Sequence, residues 1–173
     1  MRRFEEHRFE EQELSSTNNA LHVILYQPEI PPNTGNIVRV CAASGSVLHL
    51  IGPLGFRLDG AAVRRAGMDY REWAEVKRWQ DWPSYLAEHP PESRLFVVST
   101  HAKTTYADRQ FQPGDRFLFG SESAGLPQVI RTTYADTMIR IPMVARARSL
   151  NLANSVSIVL YEALRQLSFP AVS

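Results

Sequence analysis

Short apolar runs recur along this chain, and each stops at a polar, glycine- or proline-rich stretch. "LHVILY" (21–26), "VLHLIG" (47–52), "RLFVVST" (94–100), "RFLFG" (116–120) and "TMIRIPM" (137–143) are too short for buried helices, so each predicts a buried strand. Between them the spacing turns helical. "NIVRVCAASG" (36–45) predicts a helix with Asn33 or Thr34 as its cap and Gly45 at its C-terminal end. "RLDGAAVRRAG" (57–67), "DWPSYLAEH" (81–89) and "LPQVIRTTY" (126–134) predict three more. In the strongest helix, 150–167, Leu152, Val156, Val159, Leu160, Ala163 and Leu167 fall on one face.

Strands alternating with helices predict the α/β class, a mostly parallel sheet with helices on both faces. Such sheets bind ligands beyond the carboxyl ends of their strands, which singles out the loops 99–105, 120–127 and 142–151. A length of 173 residues suits one domain, placed here at 21–170. The mixed-charge segment 1–20 is set apart as an extension expected to be disordered.

Charge changes the picture little: 19 Lys and Arg face 18 Asp and Glu, for a net charge of +1. That argues against a long-range grip on nucleic acid and leaves room for a local basic patch. Lys77 and Lys103 are the only lysines, and arginine suits bidentate phosphate contacts, although genomic base composition produces the same bias. Cys41 is the only cysteine, which excludes an internal disulfide and fits a reducing, cytoplasmic compartment. No run approaches membrane-spanning length, and no metal site is expected from five scattered histidines.

The loops carry the candidate chemistry. "FLFGSESAGLP" (117–127) comes near the hydrolase elbow Gly-x-Ser-x-Gly, but Ser121 stands where the first glycine belongs and no local base accompanies Ser123. Neither of the two common phosphate-loop patterns occurs in the chain. Small residues at 120–125 instead suit close backbone approach to a nucleoside without a polyphosphate. "IPPNTGNIVR" (30–39) places Asn36 and Arg39 on one side of a helix start. "ARARSLNLAN" (145–154) gathers arginines with Ser149 and Asn151, and capping is the plain role for both of those.

In order and spacing, "NTGNIVRVCAASG", "FLFGSESAGLP" and "IPMVARARSLNLANSVSIVLYEALRQ" resemble the three motifs of the SPOUT superfamily of RNA methyltransferases. "LHVILYQPEIPPNTGNIVRVC" together with "RRAGMDY" (64–70) is most similar to the TrmL branch, whose members methylate the 2′-hydroxyl of the wobble nucleotide in certain tRNAs. The resemblance implies a SPOUT fold with a C-terminal deep trefoil knot, S-adenosylmethionine as methyl donor, no metal, a homodimer, and tRNA as partner. The implied reaction is 2′-O-methylation of a wobble cytidine or modified uridine. The alternatives are methylation of ribosomal RNA or another tRNA position, or an RNA-binding member without catalysis.

Carried over by position, Val98, Gly120, Ile141 and Ser149 line the cofactor site, with Thr100, Glu122, Leu126, Met143, Leu150 and Asn154 close by. Arg39 takes the role of base or hydroxyl activator, held by Asn33 and Glu122, while Ser149 and Asn151 place the ribose or the cofactor carboxylate. A protonated guanidinium cannot accept a proton, so Arg39 either is perturbed or clamps a phosphate. Arg64, Arg65, Arg146 and Arg148 are the candidate RNA contacts. The chain departs from the family where Ala145-Arg146-Ala147 replaces a Pro-Asp-Ser type of loop.

Overall fold

A computed structural model describes residues 19–56, 74–89 and 94–170. All five predicted strands are present: β1 (His22–Tyr26), β2 (Val47–Ile51), β4 (Leu95–Val98), β5 (Arg116–Phe119) and β6 (Met138–Ile139). A sixth, β3 (Val76–Trp79), was not foreseen. They form one sheet in the order β3-β2-β1-β5-β4-β6, and every pairing is parallel.

The strand residues alternate between two cores, as the two-residue period of a strand requires. Val23, Leu25, Leu48, Leu50, Phe117 and Phe119 face one side. There they pack on α1 (Pro31–Ser44) and α4 (Leu152–Gln166), through Ile37, Val38 and Cys41 of the first and Val156, Val159 and Leu160 of the second. Ile24, Ile51, Val97 and Leu118 face the other side, against Tyr85 of α2 (Trp82–Glu88) and Ile130 of α3 (Gln128–Thr133). Continuous apolar runs in the sequence are therefore double-sided strands, covered on both faces. Burial drives the Cys41 thiol up to about 12, as an inert core group.

Three boundaries differ from expectation. Helix α1 starts at Pro31, so Asn33 and Thr34 lie inside its first turn and the extended Ile30 is the cap residue. Two prolines are compatible with that start because the first turn has no use for their missing N–H groups. Gly45 closes the helix in the left-handed region at φ 65°, as predicted. Strand β6 is only two residues long; the chain then leaves the sheet, keeping a single parallel bridge from Arg140 to Thr105. Helix α4 is capped by Asn151 and not by Ser149. The helix predicted at 57–67, Arg64 and Arg65, and nearly all of the N-terminal extension lie outside the described residues.

On the α2 side a fully buried histidine, His49, sits among aromatic rings. The Trp79 indole donates to its Nδ1 at 3.0 Å, so Nε2 carries the proton and donates to Nδ1 of His22 at 2.9 Å. Burial, reinforced by nearby cationic groups, holds His49 down at about 2 and His22 at about 4. No described helix is long and apolar enough to cross a membrane.

Candidate functional site

A cavity of about 620 Å³ opens at the carboxyl ends of β4 and β5. This is where a parallel α/β sheet offers main-chain groups and loops to a ligand. Of the expected cofactor residues, Val98 lines it from the end of β4, Thr100 from the loop that follows, and Gly120, Glu122 and Leu126 from the loop after β5. Ile141, Met143, Ser149 and Leu150 line it from the segment between β6 and α4. Asn33 reaches it from α1 and Asn151 from the start of α4.

The loop after β5 is folded back on itself. Ser121 and Gly125 exchange main-chain hydrogen bonds of 3.2 and 3.0 Å. A Cβ at Gly120 would fall 2.3 Å from the carbonyl carbon of Gly125 and 2.5 Å from the nitrogen of Leu126, so only glycine permits that closure. Gly125 itself turns at φ 68°, a left-handed conformation that glycine adopts without strain.

One hydrogen-bonded chain links the three sequence motifs, and its polarity is fixed. An ionised carboxylate only accepts, so Glu122 takes the Glu29 N–H at 2.8 Å, the Ile30 N–H at 3.2 Å and the Asn33 amide at 3.0 Å. The Asn33 carbonyl oxygen then accepts the Asn151 amide at 2.9 Å. The Asn151 oxygen in turn caps α4, accepting from the main-chain N–H groups of Ala153 and Asn154 at 2.9 and 3.3 Å. Each asparagine is oriented by its neighbours: a carboxylate at one end demands a donor, and free helix amides at the other demand an acceptor. Asn33 is 7 % exposed, so its two bonds are shielded from competing water.

Several expectations change here. Glu122 is taken by main-chain amides and Asn33, and Arg39 is exposed roughly two turns further along α1. Arg39, Arg146 and Asn154 do not line the cavity, whereas Arg148 does. The sequence did not point to Arg131 and Ser155 of the lining, nor to Glu29. The nucleophile reading loses its support, since the Ser123 hydroxyl donates to the Glu29 carboxylate at 2.7 Å and Ser121 lies near the Gly125 carbonyl.

Chemically the site suits a nucleoside cofactor. The volume lies within the range of ordinary ligand pockets. Its walls are apolar at Val98, Leu126, Ile141 and Met143, its loops offer main-chain groups and serine hydroxyls, and Glu122, the one lining carboxylate among the described residues, is already hydrogen-bonded. Among the described residues no group of three or more His, Cys, Asp or Glu is placed to hold a metal ion.

Residues 20–161 match the family described as SpoU rRNA Methylase. The tRNA (cytidine(34)-2'-O)-methyltransferase of Aeromonas hydrophila subsp. hydrophila is 50% identical over 150 residues, covering 86% of this chain and 96% of its own. A solved structure from work on the 2-OH methylation of C/U34 on tRNA superposes with a TM-score of 0.82 at 41% identity, over 87% of this chain and 98% of that one. An AdoMet-bound rRNA methyltransferase from Sinorhizobium meliloti gives a TM-score of 0.76 at 27% identity, over 87% of this chain and 57% of that one.

Proposed function

As the chain belongs to the SpoU rRNA methylase family, we propose that it methylates the ribose 2′-hydroxyl of the wobble nucleotide of tRNA, a cytidine or modified uridine, with S-adenosylmethionine as donor. The single observation that carries the reading is the chain Glu122–Asn33–Asn151–α4, which locks all three motifs around one nucleoside-sized cavity. When bound there, the cofactor supplies a methyl group on a cationic sulfur. The residues supply alignment. Val98, Leu126, Ile141 and Met143 offer apolar surface to an adenine, and Gly120 with Ser149 and Leu150 offers close main-chain approach.

Asn33, Glu122 and Asn151 form the wall that fixes the reacting geometry, the main requirement of an in-line transfer. Arg39, whose guanidinium offers donors and no acceptor, acts as a clamp on the substrate phosphate and orients the attacking hydroxyl. Ser149 sits on the cavity wall where a ribose or carboxylate would be placed. Arg146 and Arg148, both exposed, are the phosphate contacts of the rim.

A knot at the C-terminal end is part of this reading. It rests on the family match, and the bridge of Thr105 to Arg140 and the packing of α1 on α4 are compatible with it. So is a homodimer in the cytoplasm, which rests on the resemblance to the family; Val144, 66 % exposed, and Tyr161, 42 % exposed, are available to a second copy. The test is methyl transfer from labelled cofactor to unmodified tRNA, followed by mapping of the product. Label in the wobble ribose is expected; label confined to ribosomal RNA, or to a base, overturns the reading.

A further inference from the structure

We propose that Glu29 is a positioning residue for the cofactor, acting through the loop 120–125; this rests on the cofactor reading above. Glu29 and the pair Glu122–Ser123 exchange bonds across more than ninety positions of chain. The main-chain N–H of Glu29 donates to the Glu122 carboxylate at 2.8 Å. The Glu29 carboxylate accepts from the Ser123 N–H at 2.9 Å and the Ser123 hydroxyl at 2.7 Å. Each segment thus lends a carboxylate to the other.

The two halves of the exchange hold different things. Glu122 ties the base of the loop to α1, whereas Glu29 reaches its exposed tip. Without Glu29 the tip retains, among the described residues, the bonds within the loop itself, between Ser121, Ala124 and Gly125. Ser123, Ala124 and Gly125 all line the cavity, so tip freedom is lost cofactor organisation.

The main chain is set up to deliver this carboxylate. Gln27 turns through φ 49°, a conformation costly for a residue with a side chain, and redirects the chain as it leaves β1. Gly55 then backs the turn: its N–H donates to the Pro28 carbonyl at 3.0 Å, and a Cβ there would lie 2.8 Å from Glu29 Cα. A residue held this closely, with both donors of a cavity-lining serine on its carboxylate, is placed to order that loop before any ligand arrives.

The experiment compares Glu29→Gln, Ser123→Ala and the double variant in the full chain. Affinity for S-adenosylhomocysteine is measured by calorimetry, and initial rates are measured against cofactor at saturating tRNA. Glu29→Gln is expected to weaken binding about ten-fold, the size of one charge-assisted hydrogen bond, and to raise the cofactor KM in step. The kcat at saturation stays within about three-fold, because Glu122 keeps its own partners. Ser123→Ala weakens binding less, and adds little once Glu29 is replaced. Affinity of Glu29→Gln within two-fold of the parent, or full additivity of the two changes, overturns the proposal. If Glu29→Gln fails to fold, Ser123→Ala, at an exposed position, decides alone: unchanged affinity rejects it. Failure of the unaltered chain to bind S-adenosylhomocysteine would instead reject the cofactor reading itself.

Discussion

Asn33→Asp isolates the centre of the site, because it changes one donor and almost nothing else. The side chain keeps its shape, and its remaining carbonyl oxygen still accepts from Asn151. What had been an amide donor 3.0 Å from Glu122 becomes a second carboxylate oxygen. Two unit charges at that 3.0 Å separation repel by about 5 kcal/mol at an effective dielectric of 20, and a charge-assisted bond of about 1.5–3 kcal/mol is lost as well. The pair avoids most of this by retaining one proton, so one of the two carboxyl groups has a strongly raised pKa.

The sign follows directly. Below that raised pKa the shared proton restores a donor between positions 33 and 122; above it each further pH unit costs about 1.4 kcal/mol. Methyl-transfer rates of the Asp variant are expected to fall at least about 100-fold at pH 8, which about 2.7 kcal/mol suffices to produce, and to recover in part at pH 6. Asn33→Ala loses activity without that recovery. The assay is single-turnover methyl transfer from pH 6 to 9 with circular dichroism as a folding control. An Asp variant within three-fold of the parent at pH 8, or a deficit independent of pH, refutes the assignment of Asn33 as donor to Glu122.

The other outcomes concern separate parts of the molecule. Arg39→Ala is expected to abolish turnover while S-adenosylhomocysteine affinity stays within a few-fold; normal turnover removes Arg39 from the reaction. Gly120→Ala drives a methyl into the main chain of Gly125 and Leu126 and is expected to abolish cofactor binding in calorimetry. Gly125→Ala has open space and only a left-handed strain of about 1–2 kcal/mol, so it lowers the unfolding midpoint yet still binds. His49 and His22 are held neutral, so their stabilisation is complete above the ordinary pKa of 6.5 and is lost as pH falls toward 4 and then 2. Urea unfolding at pH 7, 6, 5 and 4 is expected to show a decline of up to about 1.4 kcal/mol per unit for each group, shallower in His49→Asn.

Hydrophobic pattern revealed the sheet best where strands are buried on both faces, because such strands are continuous apolar runs. Strand β3 escaped for the opposite reason: Lys77 and Arg78 are exposed at the sheet edge, and four residues of "VKRW" carry no run. The start of α1 was obscured by Pro31-Pro32, which reads as a turn although it is compatible with a first helical turn. The cavity walls were legible because motif order fixes which loops meet. Partners within the site were less so. Nothing local distinguishes Asn151 as the cap from Ser149, and nothing local shows that Glu122 receives main-chain amides and Asn33. Glu29 had no signal at all, since its partner lies 94 positions away.

The bond between Asn33 and Asn151 spans 118 positions, and its second half stands at the start of α4, well after the last strand of the sheet. A nascent chain can complete the sheet while that helix is still inside the ribosome, but Asn33 then has no amide to receive and the cavity lacks a wall. A chain cut before α4 is therefore expected to bind no cofactor and modify no RNA. Such long-range closure also makes the site the slow, late event of folding, so recovery of cofactor binding after dilution from denaturant should lag recovery of the sheet.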